Sequence, residues 1–232
     1  MSFRRAYLEL EQNTFNFERF IPFNQSYHYL AADATDHKKI IQVWKKYSGL
    51  CEILCNKLLI HGDLENIETK KDLKKLLCLN GLVRDNFTQT HILENISWTE
   101  LAKAFLHRRY PMNLLTDEEQ KMICSPSEEK EKSALNQEIL QRKLRLLSDG
   151  TLVKILFVTK GMFSFSGHSV LLKKESDLTF HYFEPNLGLY KGLDISTIAD
   201  KISSDFGSGN FTDLVLIDGL AYKQHLSSKQ IG

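Results

Sequence analysis

Apolar residues recur with two different periods along this chain, and the period changes near Asp149-Gly150. Before that point the spacing is helical. Ile40, Ile41, Val43 and Trp44 give a first helix with an apolar side that breaks at Ser48-Gly49, and Leu50, Ile53, Leu54 and Leu58 form one face of a second helix that begins there. Ser97-Trp98-Thr99-Glu100 and Thr116-Asp117-Glu118-Glu119 both have capping-box spacing, and the first opens a helix carrying Leu101, Ala104, Phe105 and Leu106. From Ser127 to Leu147, set off by Ser125-Pro126, the residues Leu135, Ile139, Leu140, Leu144 and Leu147 recur among charges, the pattern of one long amphipathic helix with a solvated face. Residues 1–35 hold scattered aromatics and Pro22 without a sustained period, and read as loops and short helices.

Strand patterns take over after Gly150. Leu152 to Thr159 is a buried-type strand, and Gly161 to Gly167 reads as an aromatic loop. An apolar run from Val170, a polar Lys174-Glu175-Ser176-Asp177 and a second run from Leu178 to Phe183 make a hairpin. With the turn centred on Ser176, Val170 faces Tyr182, Leu172 faces Phe180 and His168 faces Glu184, which brings an imidazole against a carboxylate. A one-residue slip would send those two side chains to opposite faces. Asp194 caps a helix with Ile195, Ile198, Ala199 and Ile202, and Leu214 to Ile217 is a further strand. Helices first and antiparallel strands afterwards indicate an α+β class, N-terminal helices packed on a C-terminal antiparallel sheet with a cleft between them. The length suits a single domain over residues 1–232, with 1–35 a poorly defined N-terminal segment, and no internal repeat divides it.

Composition narrows the functional classes. Thirty Lys and Arg balance 29 Asp and Glu, and no basic run with interleaved aromatics is present, so no electrostatic case for nucleic acid arises. The longest apolar runs are far shorter than the ~20 residues that span a bilayer. Arg4-Arg5 are followed by Glu9, Glu11 and Asn13 where a signal peptide needs an apolar core, so classical secretion is not expected. The four cysteines show no zinc-type spacing, and neither a metal nor another cofactor is called for.

Cys51 stands apart from the other cysteines. It falls in a first helical turn, where free N–H groups and the positive dipole end favour a thiolate, and Gly49 before it lets the backbone approach closely. Cys55, a turn deeper on the apolar side, reads as core, and buried thiol is the default for Cys78 and Cys124. His168 with Glu184 opposite supplies the base and orienting acid that such a nucleophile needs. His181 reads as a sheet-surface residue and Asp218 as a structural turn acid, while His28, His37, His61, His91, His107 and His225 join no constellation. An oxyanion hole would combine the Cys51 backbone N–H with a side-chain donor, for which Asn24, Gln25 and Gln42 are candidates. Phe163 and Phe165 are candidates to line a substrate groove.

Gly49-Leu50-Cys51-Glu52-Ile53-Leu54, Gly167-His168-Ser169-Val170 and Phe183-Glu184-Pro185-Asn186-Leu187-Gly188 resemble the three catalytic boxes of the YopT-type cysteine proteases, bacterial effectors of the papain-like superfamily. The order and spacing are similar too, with 117 residues from Cys51 to His168 and 16 from His168 to Glu184. The resemblance implies a papain-like fold, Cys51 as nucleophile, His168 as general base and Glu184 in the place of the orienting acid. Where that family typically has Asp before Pro-Asn, this chain has Glu184, one methylene longer. The resemblance further implies a virulence effector delivered without a signal peptide into a host cytosol, acting on a host protein of a class such as small GTPases or kinases. The same three residues suit a glutamine deamidase, a transglutaminase or a fatty acyltransferase, because each passes through a thioester. A catalytically degenerate papain-like scaffold that binds a host protein through the long charged helix is the alternative from another class.

Overall fold

The computed structural model describes residues 20–25, 51–62, 64–77, 113–124, 135–160, 165–176, 178–208 and 211–228. The helix before Gly49, the helix opening at Ser97, Gln42, Cys78 and Phe163 lie outside them. In chain order the elements are β1 (Phe20–Pro22), α1 (Cys51–His61), a 3-10 turn (Leu64–Asn66), α2 (Lys70–Leu76), α3 (Asp117–Ile123), α4 (Gln137–Arg145) and β2 (Leu152–Lys160). There follow β3 (Phe165–Lys174), β4 (Phe180–Glu184), β5 (Gly188–Leu193), α5 (Ile195–Ser208), β6 (Asp213–Asp218) and α6 (Gly219–Ser228). The described strands form one antiparallel sheet in the order β1-β5-β4-β3-β2-β6, and the helices pack on it, an α+β fold.

Helices cover both faces of this sheet, which the order of helices before strands does not foretell. On one face α1, α2 and α6 bury Leu54, Leu58, Leu73 and Tyr222 against Leu156, Leu171 and Phe183. On the other, α3, α4 and α5 bury Ile123, Leu140, Ile198 and Phe206 against Ile155, Val170 and Leu172. Each such fully buried side chain contributes about 1.5–3 kcal/mol of transfer free energy. Double cover explains why β2 reads as a nearly unbroken apolar run, since Val153, Ile155 and Phe157 enter one layer and Leu156 and Val158 the other. Lys154 interrupts that run and is nevertheless buried. Its Nζ donates to Asn56 Oδ1 at 2.8 Å and sits 4.4 Å from the centre of the Tyr222 ring, so the charge is partnered inside the first layer.

The hairpin differs from its sequence reading in register. Its pairs are Leu171–Phe183, Leu172–Tyr182, Lys173–His181 and Lys174–Phe180, which centres the turn on residue 177 rather than 176. Leu178 adopts a φ of 71°, and Thr179 N donates to Ser176 O at 2.7 Å, so Leu178 and Thr179 belong to the turn and β4 begins two residues late. The pairing moves by two positions, an even number, so face parity is kept. His168 and Glu184 remain on one face, but as diagonal neighbours: the register carried one step on sets Glu184 against Val170. β3 also starts at Phe165, inside the segment read as an aromatic loop.

One continuous helix from Ser127 to Leu147 is not what forms. Helix α4 begins at Gln137, with Asn136 Oδ1 accepting the Ile139 N–H at 3.2 Å, and Asn136 N donates to Ile123 O at 2.8 Å. The short polar side chain bonds the backbone at the start of α4 and sets that helix's first turn. The Thr116 capping box forms as read, with Glu119 N–H to Thr116 Oγ1 at 3.2 Å and Thr116 N–H to Glu119 Oε2 at 2.9 Å.

Gly188 sits where β5 pairs with β1. Its φ is 141°, and a Cβ there would lie 2.2 Å from the Ile21 carbonyl oxygen of β1. Gly188→Ala is therefore expected to destabilise the protein by about 3 kcal/mol or more, lowering the thermal midpoint seen by circular dichroism by roughly 10 °C. An unchanged midpoint would show that β1 does not pack on β5 in this way.

Candidate functional site

Helix α1 opens at Cys51, whose side chain is partly exposed. Its backbone N–H is among the first four of the helix, which have no partner within it. One turn on, Cys55 is fully buried and its Sγ donates to Ser169 O at 3.2 Å, which holds α1 against β3 beside His168. The core reading of Cys55 thus agrees with the structure. Cys124 is only partly buried.

His168 lies on the face of β3 that belongs to the second layer. It pairs with Phe157 of β2, and the two rings stack with centroids 6.2 Å apart. Strand β4 stops at Glu184, while β3 runs back to Phe165, so no described strand flanks His168 on that side of the sheet. There the first turn of α1 reaches the ring from the opposite layer. His168 Nε2 is 2.5 Å from Glu184 Oε1, and Cys51 lies near enough to the ring to favour its charged form, with Nδ1 the ring nitrogen that Glu184 leaves open. The structure brings together the three residues singled out in the sequence.

The electrostatics follow from those contacts. Burial works against the charged imidazole, but hydrogen bonds and charge contacts with Cys51 and Glu184 outweigh it and push the His168 pKa up to about 10. Glu184, 3% exposed, is no stray buried charge. Its Oε2 accepts the Asn186 backbone N–H at 2.8 Å, and Oε1 accepts the Asn186 side-chain N–H at 3.1 Å besides the imidazole. The longer side chain that marks the departure from Asp spans the diagonal created by the hairpin register.

Several readings change. His181 is not a surface residue: it is 2% exposed, its Nδ1 accepts the Gly192 N–H at 3.1 Å, and burial chiefly holds its pKa below the ordinary imidazole value. The strand exchanges a solvent face for cover by the segment after α1, whose Glu65 bonds Lys173 and whose carbonyls at Glu65 and Ile67 accept from Lys191. Asn24 Nδ2 donates to Asn186 O at 2.7 Å and Gln25 Nε2 to Asn186 Oδ1 at 2.6 Å, beside Glu184. Asp218 caps α6 by accepting the Ala221 N–H at 2.9 Å, a structural role as read.

Three contributors escape a reading of the sequence. Asn186 was legible only as part of the Glu-Pro-Asn segment, although an Asn two residues after an acid in a Pro turn is a recognisable backbone-bonding position. Phe157, behind the imidazole, follows from strand pairing alone. Asp205 of α5 accepts from Tyr182 OH at 2.9 Å, and its carboxyl is raised by burial, with the nearby charge of Glu184 adding to the effect. No local pattern marks it.

Among the described residues no group of three or more His, Cys, Asp or Glu side chains gathers as a metal site, and no helix is long and apolar enough to cross a membrane. No protein-family model matches the chain, and no curated protein matches it in sequence. Among solved structures it is similar to the crystal structure of the Pseudomonas avirulence protein AvrPphB, with a TM-score of 0.43 and 13% identity over 72% of this chain and 89% of that one.

Proposed function

We propose that this chain is a papain-like cysteine hydrolase of the effector type, with Cys51 as nucleophile, His168 as general base and Glu184 as orienting acid. The observation that carries the reading is the single imidazole held between a helix-start thiol and a buried carboxylate. The three boxes, in the order and spacing described above, support the same assignment.

Catalysis would run in two halves. Cys51 Sγ loses its proton to His168 Nδ1 and attacks the carbonyl carbon of a bound acyl group, while the Cys51 backbone N–H stabilises the developing oxyanion. The tetrahedral species collapses to a thioester as the leaving amine takes the proton back from His168. Water then attacks the thioester, gives a proton to His168, and releases the acid while the thiol is restored. Glu184 fixes the tautomer that places the base nitrogen at sulfur and stabilises the cation formed in each half. Host-protein cleavage in a host cytosol, with a small GTPase or kinase as substrate class, is the setting that the resemblance supports.

The binding-scaffold alternative drew on the longer acid and the long charged helix. Glu184 engages the imidazole, which supports the triad reading. The test is mass spectrometry of host-cell lysate incubated with the wild type and with Cys51→Ala. New protein N-termini that vanish in Cys51→Ala are the expected result. Deamidated glutamine or newly acylated side chains with the same dependence would reassign the acyl acceptor, and modification that ignores Cys51 would overturn the nucleophile.

A further inference from the structure

The acid of the site is bonded to a turn, and that turn is bonded to the first described strand. β1 pairs with β5 through Phe20–Tyr190, Ile21–Leu189 and Pro22–Gly188. The same register continues beyond the strand, with Phe23 N donating to Leu187 O at 2.9 Å and Gln25 N to Pro185 O at 2.8 Å. The ladder ends where Gln25, 5% exposed, lies beside Asn186.

Asn186 has two ways to place its carboxamide, and only one suits an ionised acid. A carboxylate accepts and cannot donate, so the Asn186 NH2 must face Glu184 and its oxygen must face away. The oxygen that faces away accepts the Gln25 Nε2–H at 2.6 Å. Turned over, Asn186 would oppose its carbonyl oxygen to the carboxylate and its NH2 to the NH2 of Gln25. Both contacts are repulsive. Gln25 thereby selects the orientation in which Asn186 donates to Glu184 Oε1, the same oxygen that meets His168.

We infer that Gln25 and Asn186 are positioning residues for Glu184, which makes the N-terminal strand segment Phe20–Gln25 a working part of the site. The inference rests on the proposed function only for its catalytic consequence, because the hydrogen-bond relay exists in the folded chain whatever acyl group is attacked.

Gln25→Glu is the discriminating substitution. It keeps size and shape but presents an acceptor to Asn186, which must turn its NH2 toward residue 25 and its oxygen toward Glu184. A residue needed only for packing would tolerate the change. Two measurements on the full-length chain follow it: the far-downfield proton resonance of the His168 ring N–H bonded to Glu184, and the rate of Cys51 alkylation by iodoacetamide across pH. The resonance is expected to move upfield or vanish, and alkylation near neutral pH to slow by about tenfold, the weight of one lost hydrogen bond to a charged group. Asn186→Ala, which removes the side-chain donor and leaves the backbone N–H in place, is expected to do the same, and it serves if Gln25→Glu folds poorly. An unmoved resonance with a wild-type alkylation profile in the folded variant would overturn the relay. If instead the resonance moves while wild-type alkylation never depended on His168, the relay stands and the proposed function falls.

Discussion

Replacing His168 by alanine is expected to slow iodoacetamide alkylation of Cys51 at neutral pH by about 10²- to 10³-fold, within the range that a positioned general base contributes. The size of the effect follows from where the proton resides. Burial works against the charged imidazole, but Cys51 and Glu184 outweigh it and push its pKa up to about 10. A proton released by sulfur therefore stays on the ring across the physiological range, and the wild-type rate at neutral pH should exceed that of the variant. Without the ring, the rate should climb with pH as it does for an isolated thiol of pKa ~8.5. Peptide mapping separates Cys51 from fully buried Cys55, which should remain unlabelled in the native protein. Equal rates and equal pH profiles with and without His168 would remove the base from the mechanism.

Substitution of Glu184 should have the second largest effect, and its direction separates the structure from the resemblance. Glu184→Gln removes the charge that favours the imidazolium and is expected to lower the His168 pKa, read by NMR titration, and to slow turnover and thiol alkylation by about 10²-fold. Glu184→Asp would restore the residue typical of the resembling family, yet it retracts the carboxylate by one C–C bond, about 1.5 Å. On a diagonal pair that side-chain length closes the gap, so Asp is expected to be impaired by about tenfold or more. Wild-type activity in Glu184→Asp would mean that the hairpin register carries no such demand. Stability should follow the same linkage. The folded pKa of His168 is above its ordinary value of 6.5, so the stabilisation is full below about pH 6.5 and lost as pH rises through about 10. Urea midpoints of the wild type should fall across that window by more than those of Glu184→Gln.

The hairpin shows how much of the site could be read from the sequence. Apolar and aromatic alternation from Val170 to Phe183 placed two strands and, because the error in the turn was an even number of residues, the correct face for His168 and Glu184. It could not count the turn, since Leu178 takes a backbone conformation that its residue type does not announce. The helical period likewise located α1 and its opening at Cys51. It missed the start of α4 after Asn136, whose side chain bonds the backbone of that helix's first turn. Lys154 is the reverse case, a charged residue inside an apolar run, and only the placement of Asn56 and Tyr222 accounts for it. What stayed illegible was what depends on partners far along the chain, such as the clasp of residues 23–25 on the turn after Glu184, the cover over His181, and the approach of Asp205 to Tyr182.

His168 and Glu184 come from adjacent strands of one hairpin, whereas Cys51 arrives on a helix from the other layer and from a distant part of the chain. Contacts between near neighbours in sequence close early during folding, and those between remote segments carry a larger loop-closure entropy. The imidazole and carboxylate can thus be paired while the thiol is still elsewhere. A nascent or partly unfolded chain would hold His168 and Glu184 together, and Cys51 would join them only when α1 docks. Topology alone sets that order of assembly.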